Sequence, residues 1–203
     1  FRGGTIYFPE GEYWIDAPLI LKENITLRGD GPKASVIHQS SQAHGLFLER
    51  GSEAFITIEN LSVSGSFSPS DEGWASPDLV VGNGDGIHLT ENPLAHVVIR
   101  NCLIRWFSGH GLCLGGANET LIDTVESLRN GLDGFHFEGR LSFITSLSVV
   151  GCYANQNRQH GYYLDNLQSG IRGGTYSAFV GCASDSNTIN YHVKDAYNVS
   201  FTG

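Results

Sequence analysis

Gly134-Phe135-His136-Phe137 returns 27 residues later as Gly161-Tyr162-Tyr163-Leu164, and this pair decides the fold. The phrase is Gly followed by apolar–variable–apolar. It also reads Gly45-Leu46-Phe47-Leu48, Gly86-Ile87-His88-Leu89 and Gly111-Leu112-Cys113-Leu114. A sixth copy, Asn190-Tyr191-His192-Val193, puts Asn at the anchor, the other residue that tolerates a left-handed backbone. Successive anchors (45, 86, 111, 134, 161, 190) are 41, 25, 23, 27 and 29 residues apart, so the first interval carries an insertion. One short apolar strand per repeat of this length means stacked coils rather than a globular core.

A second phrase marks another strand in each coil. Leu61, Cys102, Val125, Cys152 and Cys182 form one inward column; Val63, Ile104, Ser127, Ala154 and Ser184 form the next, two residues on. Strands one coil apart are then parallel and about 4.8 Å from each other. Asn130, Asn157 and Asn187 share a turn position, where stacked amides bond from rung to rung. The pattern predicts an all-β fold, a right-handed, single-stranded parallel β-helix over residues 1–203. Its opening rungs lie at 1–43, a loop insertion at 66–84 and regular coils over 86–203. One or both ends are expected to lack the cap that a solenoid needs.

Composition narrows the partners. Charged residues make up 16% of the chain, Gly numbers 26, and the net charge is −9. That charge argues against nucleic acid and anionic membranes as partners. No apolar run is long enough to insert into a membrane. Three of the four cysteines fall in an inward column, where a thiol packs as a small apolar group. Paired Cys-x-x-Cys or His-x-x-x-His spacing is lacking, so no metal centre is expected.

The outward column of the first strand runs Phe47, His88, Cys113, His136, Tyr163, His192. Two residues on it runs Glu49, Thr90, Gly115, Glu138, Asp165, Lys194. Just before the anchors stand His44, Asp85, His110, Asp133, His160 and Ile189. Imidazoles, carboxylates, a phenol and an ammonium thus share one face, suited to an extended polysaccharide. Glu138 and Asp165 are column neighbours with Cβ atoms about 5 Å apart. Two carboxylates at that spacing split their pKa values and suit a retaining glycosidase. Asp85 and Asp133, two rungs apart at roughly 10 Å, approach the separation of an inverting pair. β-Elimination would instead use His136, Tyr163 or Lys194 as base, with a cation or acid on the sugar carboxylate. The expected catalytic residues are Glu138 and Asp165, with His136 and Asp133 orienting or acting as base. Asp85, His88, Tyr163, His160 and Lys194 are expected to contact substrate. Trp74, in the inserted loop, is expected to stack on a sugar ring. Hydrolysis requires no cofactor; a lyase would take Ca2+ on oxygen ligands.

The opening Gly3-Gly4-Thr5-Ile6-Tyr7-Phe8-Pro9-Glu10-Gly11-Glu12-Tyr13, with Asn24-Ile25-Thr26-Leu27-Arg28-Gly29 as the next rung, resembles the pectate-lyase-like superfamily of rhamnogalacturonase and epimerase type. That superfamily includes lyases, hydrolases, uronate epimerases and phage tailspike depolymerases. The resemblance implies action on a polysaccharide and an extracellular or virion-associated setting. Asn83-Gly84-Asp85-Gly86-Ile87 is similar to the polygalacturonase Asn-Thr-Asp-Gly-Ile motif, and Gly109-His110-Gly111 to its Gly-His-Gly segment. The order of rungs differs, and only Asp85 carries over. A non-catalytic fibre that binds a polysaccharide or receptor, as a homotrimeric spike, is the rival expectation.

Overall fold

The computed structural model describes residues 3–48, 55–67, 84–89, 96–139, 144–165, 176–196 and 198–203. These form a right-handed parallel β-helix with no helix among the described residues. The first-strand phrases build a seven-stranded parallel sheet from Leu19–Leu21, Leu46–Leu48, Ile87–Leu89, Leu112–Leu114, Phe135–Glu138, His160–Asp165 and Ile189–Lys194. A second, twelve-stranded sheet takes the rest of each coil. The register is the one the repeat dictates: Phe47, His88, Cys113, His136, Tyr163 and His192 are successive Cα partners.

Each coil has a side that the repeat phrases do not mark. Leu27, Ile58, Ile99, Ile122, Val149 and Phe179 stack as a third inward column, each at most 1% exposed. A one-residue corner joins this side to the Leu61–Cys102 column. The corner residues Asn60, Asn101, Thr124, Gly151 and Gly181 all have φ between 48° and 61°. A second left-handed corner follows at Trp106, Arg129, Gln156 and Ser186. Left-handed backbone is tolerated best by Asn and Gly, which explains their frequency at the first corner. The Asn60 and Asn101 amides also bond along the stack at 2.8 Å.

The anchor glycines serve another purpose than the left-handed conformation expected of them. Gly45, Gly86, Gly111, Gly134, Gly161 and their counterpart Asn190 are not among the residues with positive φ. Space decides instead. A Cβ at Gly111 would lie 2.0 Å from Ser127 Oγ and 2.7 Å from Asn130 Nδ2, and one at Gly86 would lie 2.2 Å from Ile104 Cγ2. The anchor is where the strand of the seven-stranded sheet passes closest to the facing column of Val63, Ile104, Ser127 and Ala154, so a side chain at any of the five glycine anchors would push the coil open.

The asparagine ladder forms as the spacing implied. Asn130 Nδ2 donates to Asn157 Oδ1 at 2.9 Å, and Asn157 Nδ2 to Asn187 Oδ1 at 3.0 Å. Each Oδ1 also accepts a backbone N–H from the rung before it, from Phe107, Asn130 and Asn157 in turn. Asn130 and Asn157 are buried, so these bonds satisfy turn amides that water cannot reach. All four cysteines are free thiols.

Candidate functional site

On the groove face the residues before the anchors alternate: His44, Asp85, His110, Asp133, His160. Stacking converts this alternation into a hydrogen-bonded column. Each aspartate accepts from the imidazole three residues on, which is the next outward side chain of the same strand. Asp85 Oδ2 meets His88 Nδ1 at 2.6 Å, and Asp133 Oδ2 meets His136 Nδ1 at 2.7 Å. The backbone repeats the logic between rungs. Asp85 N–H donates to His44 Nδ1 at 3.0 Å, and Asp133 N–H to His110 Nδ1 at 3.2 Å. The other carboxylate oxygen takes the next rung's amide: His110 N–H to Asp85 Oδ1 at 2.6 Å, His160 N–H to Asp133 Oδ1 at 3.0 Å. Gly109 makes room, since a Cβ there would sit 2.2 Å from Asp85 Oδ1.

The second copy is the richer. Asp133 Oδ1 also accepts from His160 Nδ1 at 2.6 Å, and Oδ2 lies 3.2 Å from His110 Nδ1. One buried carboxylate therefore fixes imidazoles from three consecutive coils. Burial alone would raise the Asp133 pKa, but His110 and His136 outweigh it and hold the group well below the usual carboxylate range. Asp85 is lowered for the same reasons, burial being outweighed by His88 and His110. His136 is the counterpart. Burial opposes its protonation, yet Asp133 and then Glu138 raise its pKa above 6.5. His44, whose Nδ1 is 3.7 Å from Asp85 Oδ2, is lowered by burial and by His88, which outweigh Asp85.

Around this hub stand the remaining groups. Tyr163 stacks on His136 with centroids 4.8 Å apart, leans on His160 at 5.0 Å and meets His192 edge-on at 5.0 Å. Its hydroxyl donates to Asp165 Oδ2 at 3.2 Å, and Lys194 Nζ approaches the same oxygen at 3.4 Å. Glu138 Oε2 is 3.5 Å from His136 Nε2. His192 Nδ1 lies 3.1 Å from His160 Nε2. The expected residues Glu138, Asp165, Asp133, His136, Tyr163, His160 and Lys194 thus converge on one patch. Asp85 and His88 form the parallel cluster nearer the amino-terminal end, with Phe47 stacked on His88 at 5.4 Å. Trp74 lies outside the described residues.

Two expectations change. The aspartates of the outward columns are buried, with Asp85, Asp133 and Asp165 only 4%, 2% and 3% exposed. Asp133 is saturated by its donors, a setting suited to orienting its imidazoles. Asp85 and Asp133 are each enclosed by their own imidazoles and amides and held below the usual carboxylate range, unlike the open pair expected of them. Glu138 and Asp165 are register partners as expected, but Asp165 is turned to Tyr163 and Lys194. Sequence reasoning also passed over His110 as a site residue. Its signal was the His–Asp–His–Asp–His alternation one residue before each anchor.

The family model described as rhamnogalacturonase A/epimerase, pectate lyase-like matches residues 2–60. Over that opening segment the chain is similar to this family, and the parallel β-helix continues beyond it. Among solved structures, this β-helix is similar to the A-module of the mannuronan C-5 epimerase AlgE6 of Azotobacter vinelandii. The TM-score is 0.65 at 20% identity, over 99% of this chain and 55% of that one. The AlgE4 A-module of the same organism gives 0.54 at 18%, over 98% and 65%. A protein of Geobacillus virus E2, ORF18, gives 0.48 at 14%, over 98% and 52%. The chain therefore spans little more than half the length of the first of these structures. No curated protein sequence matches it.

Proposed function

We propose that this chain acts on a uronate-containing polysaccharide laid along the groove, and that its chemistry is removal of the hydrogen on the carbon bearing the sugar carboxylate. The observation that carries the reading is the Asp133 hub, which presents the His136 and His160 imidazoles to either side of the Tyr163 phenol. Abstraction next to a carboxylate needs positive charge on that carboxylate and a base–acid pair at the carbon. His136, with its raised pKa, and Lys194 supply the charge. Tyr163, backed by Asp165, and His160, backed by Asp133, are the groups placed to move the proton. Return of a proton to the opposite face gives epimerisation; loss of the neighbouring glycosidic oxygen gives elimination. The fold likeness to modules titled mannuronan C-5 epimerases makes mannuronan the first polymer to try.

Hydrolysis is the second reading, favoured by the register pairing of Glu138 with Asp165. Against it, the Asp165 carboxylate is buried and already engaged by a phenol and an ammonium, a poor setting for a nucleophile. A panel of acidic and neutral polysaccharides separates the readings. Elimination yields reducing ends together with the ultraviolet absorbance of an unsaturated uronate. Epimerisation changes the polymer's NMR spectrum without new ends. Reducing ends without absorbance would establish hydrolysis and overturn the proposal. Binding with no reaction in any polymer would leave the non-catalytic fibre as the answer.

A further inference from the structure

The cysteines divide into two kinds. The core thiols all bond to backbone carbonyls. Cys102 Sγ contacts Arg100 O at 3.2 Å, Cys152 Sγ contacts Val150 O at 3.4 Å, and Cys182 Sγ contacts Val149 O at 3.3 Å. Cys113 differs in place and in partners. It belongs to the outward column, between His88 and His136 in register, and is only 6% exposed. Among the described residues its thiol has no hydrogen bond. A buried, unbonded sulfur on a groove otherwise lined by imidazoles and carboxylates calls for an explanation.

His110, three residues before Cys113, and His136, its register partner, each bring a donor atom close. One atom from each of His110, Cys113 and His136 lies within 4.8 Å of the other two. His136 Nδ1 is held by Asp133 Oδ2 at 2.7 Å, which turns its Nε2 to an ion; His110 Nδ1 lies 3.2 Å from the same oxygen, and ligation through its Nε2 requires Nδ1 to carry the proton and donate to Oδ2 in place of accepting the Asp133 N–H. Ligating histidines are characteristically held in this way, by a carboxylate on the second ring nitrogen. Glu138 Oε2, 3.5 Å from His136 Nε2, stands at the rim outside the trio. Asp85, Glu138 and Asp133 surround the sulfur with negative charge, a field that favours a cation.

We propose that His110, Cys113 and His136 form a binding site for a divalent transition metal, zinc in the first instance. Two imidazoles and one thiolate, with a position left for solvent, match the donor types and open coordination of zinc sites. The neighbouring trio His44, Asp85 and His88 is a poorer candidate, because Asp85 and His88 already bond each other at 2.6 Å. The site went unnoticed in the sequence because His-x-x-Cys supplies only two ligands; the third arrives from the next coil. The inference stands on these three side chains and does not depend on the uronate reading; with an ion bound, the ion in place of the His136 proton would supply the positive charge.

Cobalt(II) is the direct probe, since a thiolate–cobalt bond produces a charge-transfer band that imidazole and carboxylate ligands do not. Chelator-treated full chain is titrated with Co2+, then with Zn2+ in competition. The expected result is one ion per chain with that band, displaced by zinc. The band should vanish in Cys113→Ser and His110→Gln, and persist in Cys102→Ala and Tyr163→Phe. Weakening of the affinity by about 10–100-fold is expected in Asp133→Asn. In the unmodified protein, zinc should also slow alkylation of Cys113, read by mass spectrometry, which keeps the test open should a variant misfold. No band in the wild type, a band that survives Cys113→Ser, or alkylation indifferent to zinc would overturn the proposal. Because Tyr163→Phe removes the proposed proton-moving group but no ligand, the two proposals can fail separately.

Discussion

Replacing Asp133 by Asn keeps the shape of the hub and removes its charge. The carboxylate accepts from His136 Nδ1 at 2.7 Å, His160 Nδ1 at 2.6 Å and His160 N–H at 3.0 Å, and is 2% exposed. An amide offers one oxygen, so it can serve one side of this set and must turn its NH2 toward a ring nitrogen on the other. Hydrogen bonds to a charged group contribute about 1.5–3 kcal/mol each, and breaking a buried charge pair costs about 3–5 kcal/mol. A loss of about 3 kcal/mol is therefore expected near neutral pH. The pH dependence follows from the two shifts. Asp133 lies below its ordinary 3.8, so its contribution is present above that value and fades on acidification. His136 lies above its ordinary 6.5, so its contribution is complete below 6.5 and fades as pH rises through the raised value. The difference between wild type and variant should therefore be greatest between these two ordinary values. Urea denaturation across that range measures it, and imidazole NMR should find the His136 titration moved to lower pH in the variant. A loss under about 1 kcal/mol, or an unmoved His136 titration, would refute the hub.

Other substitutions test separate parts of the account. Asn157→Ala deletes one rung of the ladder and strands the Asn130 N–H and Nδ2, at a cost of about 2–4 kcal/mol by denaturant unfolding. Gly111→Ala forces a methyl against Ser127 and Asn130 and should cost about 1–3 kcal/mol, although its φ is ordinary. Asp165→Asn should lower turnover by at least about tenfold through Tyr163, whereas Glu138→Gln should act more weakly under proton abstraction and as strongly under hydrolysis. Steady-state rates on the reactive polymer, with circular dichroism to check folding, decide between them.

Much of the fold could be read because a solenoid writes its geometry into one repeated phrase. The five Gly anchors and Asn190 placed Phe47, His88, Cys113, His136, Tyr163 and His192 in one register, and the structure keeps all five pairings. The Asn130–Asn157–Asn187 ladder was legible for the same reason. The third side of the coil was not, because Ile58, Ile99, Ile122 and Val149 carry no punctuating glycine before them and are set off by one-residue corners. The role of the anchors was misread because a glycine selected for absent volume looks, in sequence, like one selected for backbone freedom. In the site, columns could be predicted but directions could not. Burial of Asp133 depends on three imidazoles closing over it, and the Cys113 cluster on two coils meeting; neither is a property of a single rung.

The most direct test of the central claim uses a uronate polymer, mannuronan first, carrying tritium on the ring carbon that bears the carboxylate. Both epimerisation and elimination must remove that hydrogen, and hydrolysis leaves it in place. Wild-type protein is predicted to release the label into water, and Tyr163→Phe with intact fold to release little or none. Cleavage that retains the label, or release undiminished in Tyr163→Phe, would contradict the account.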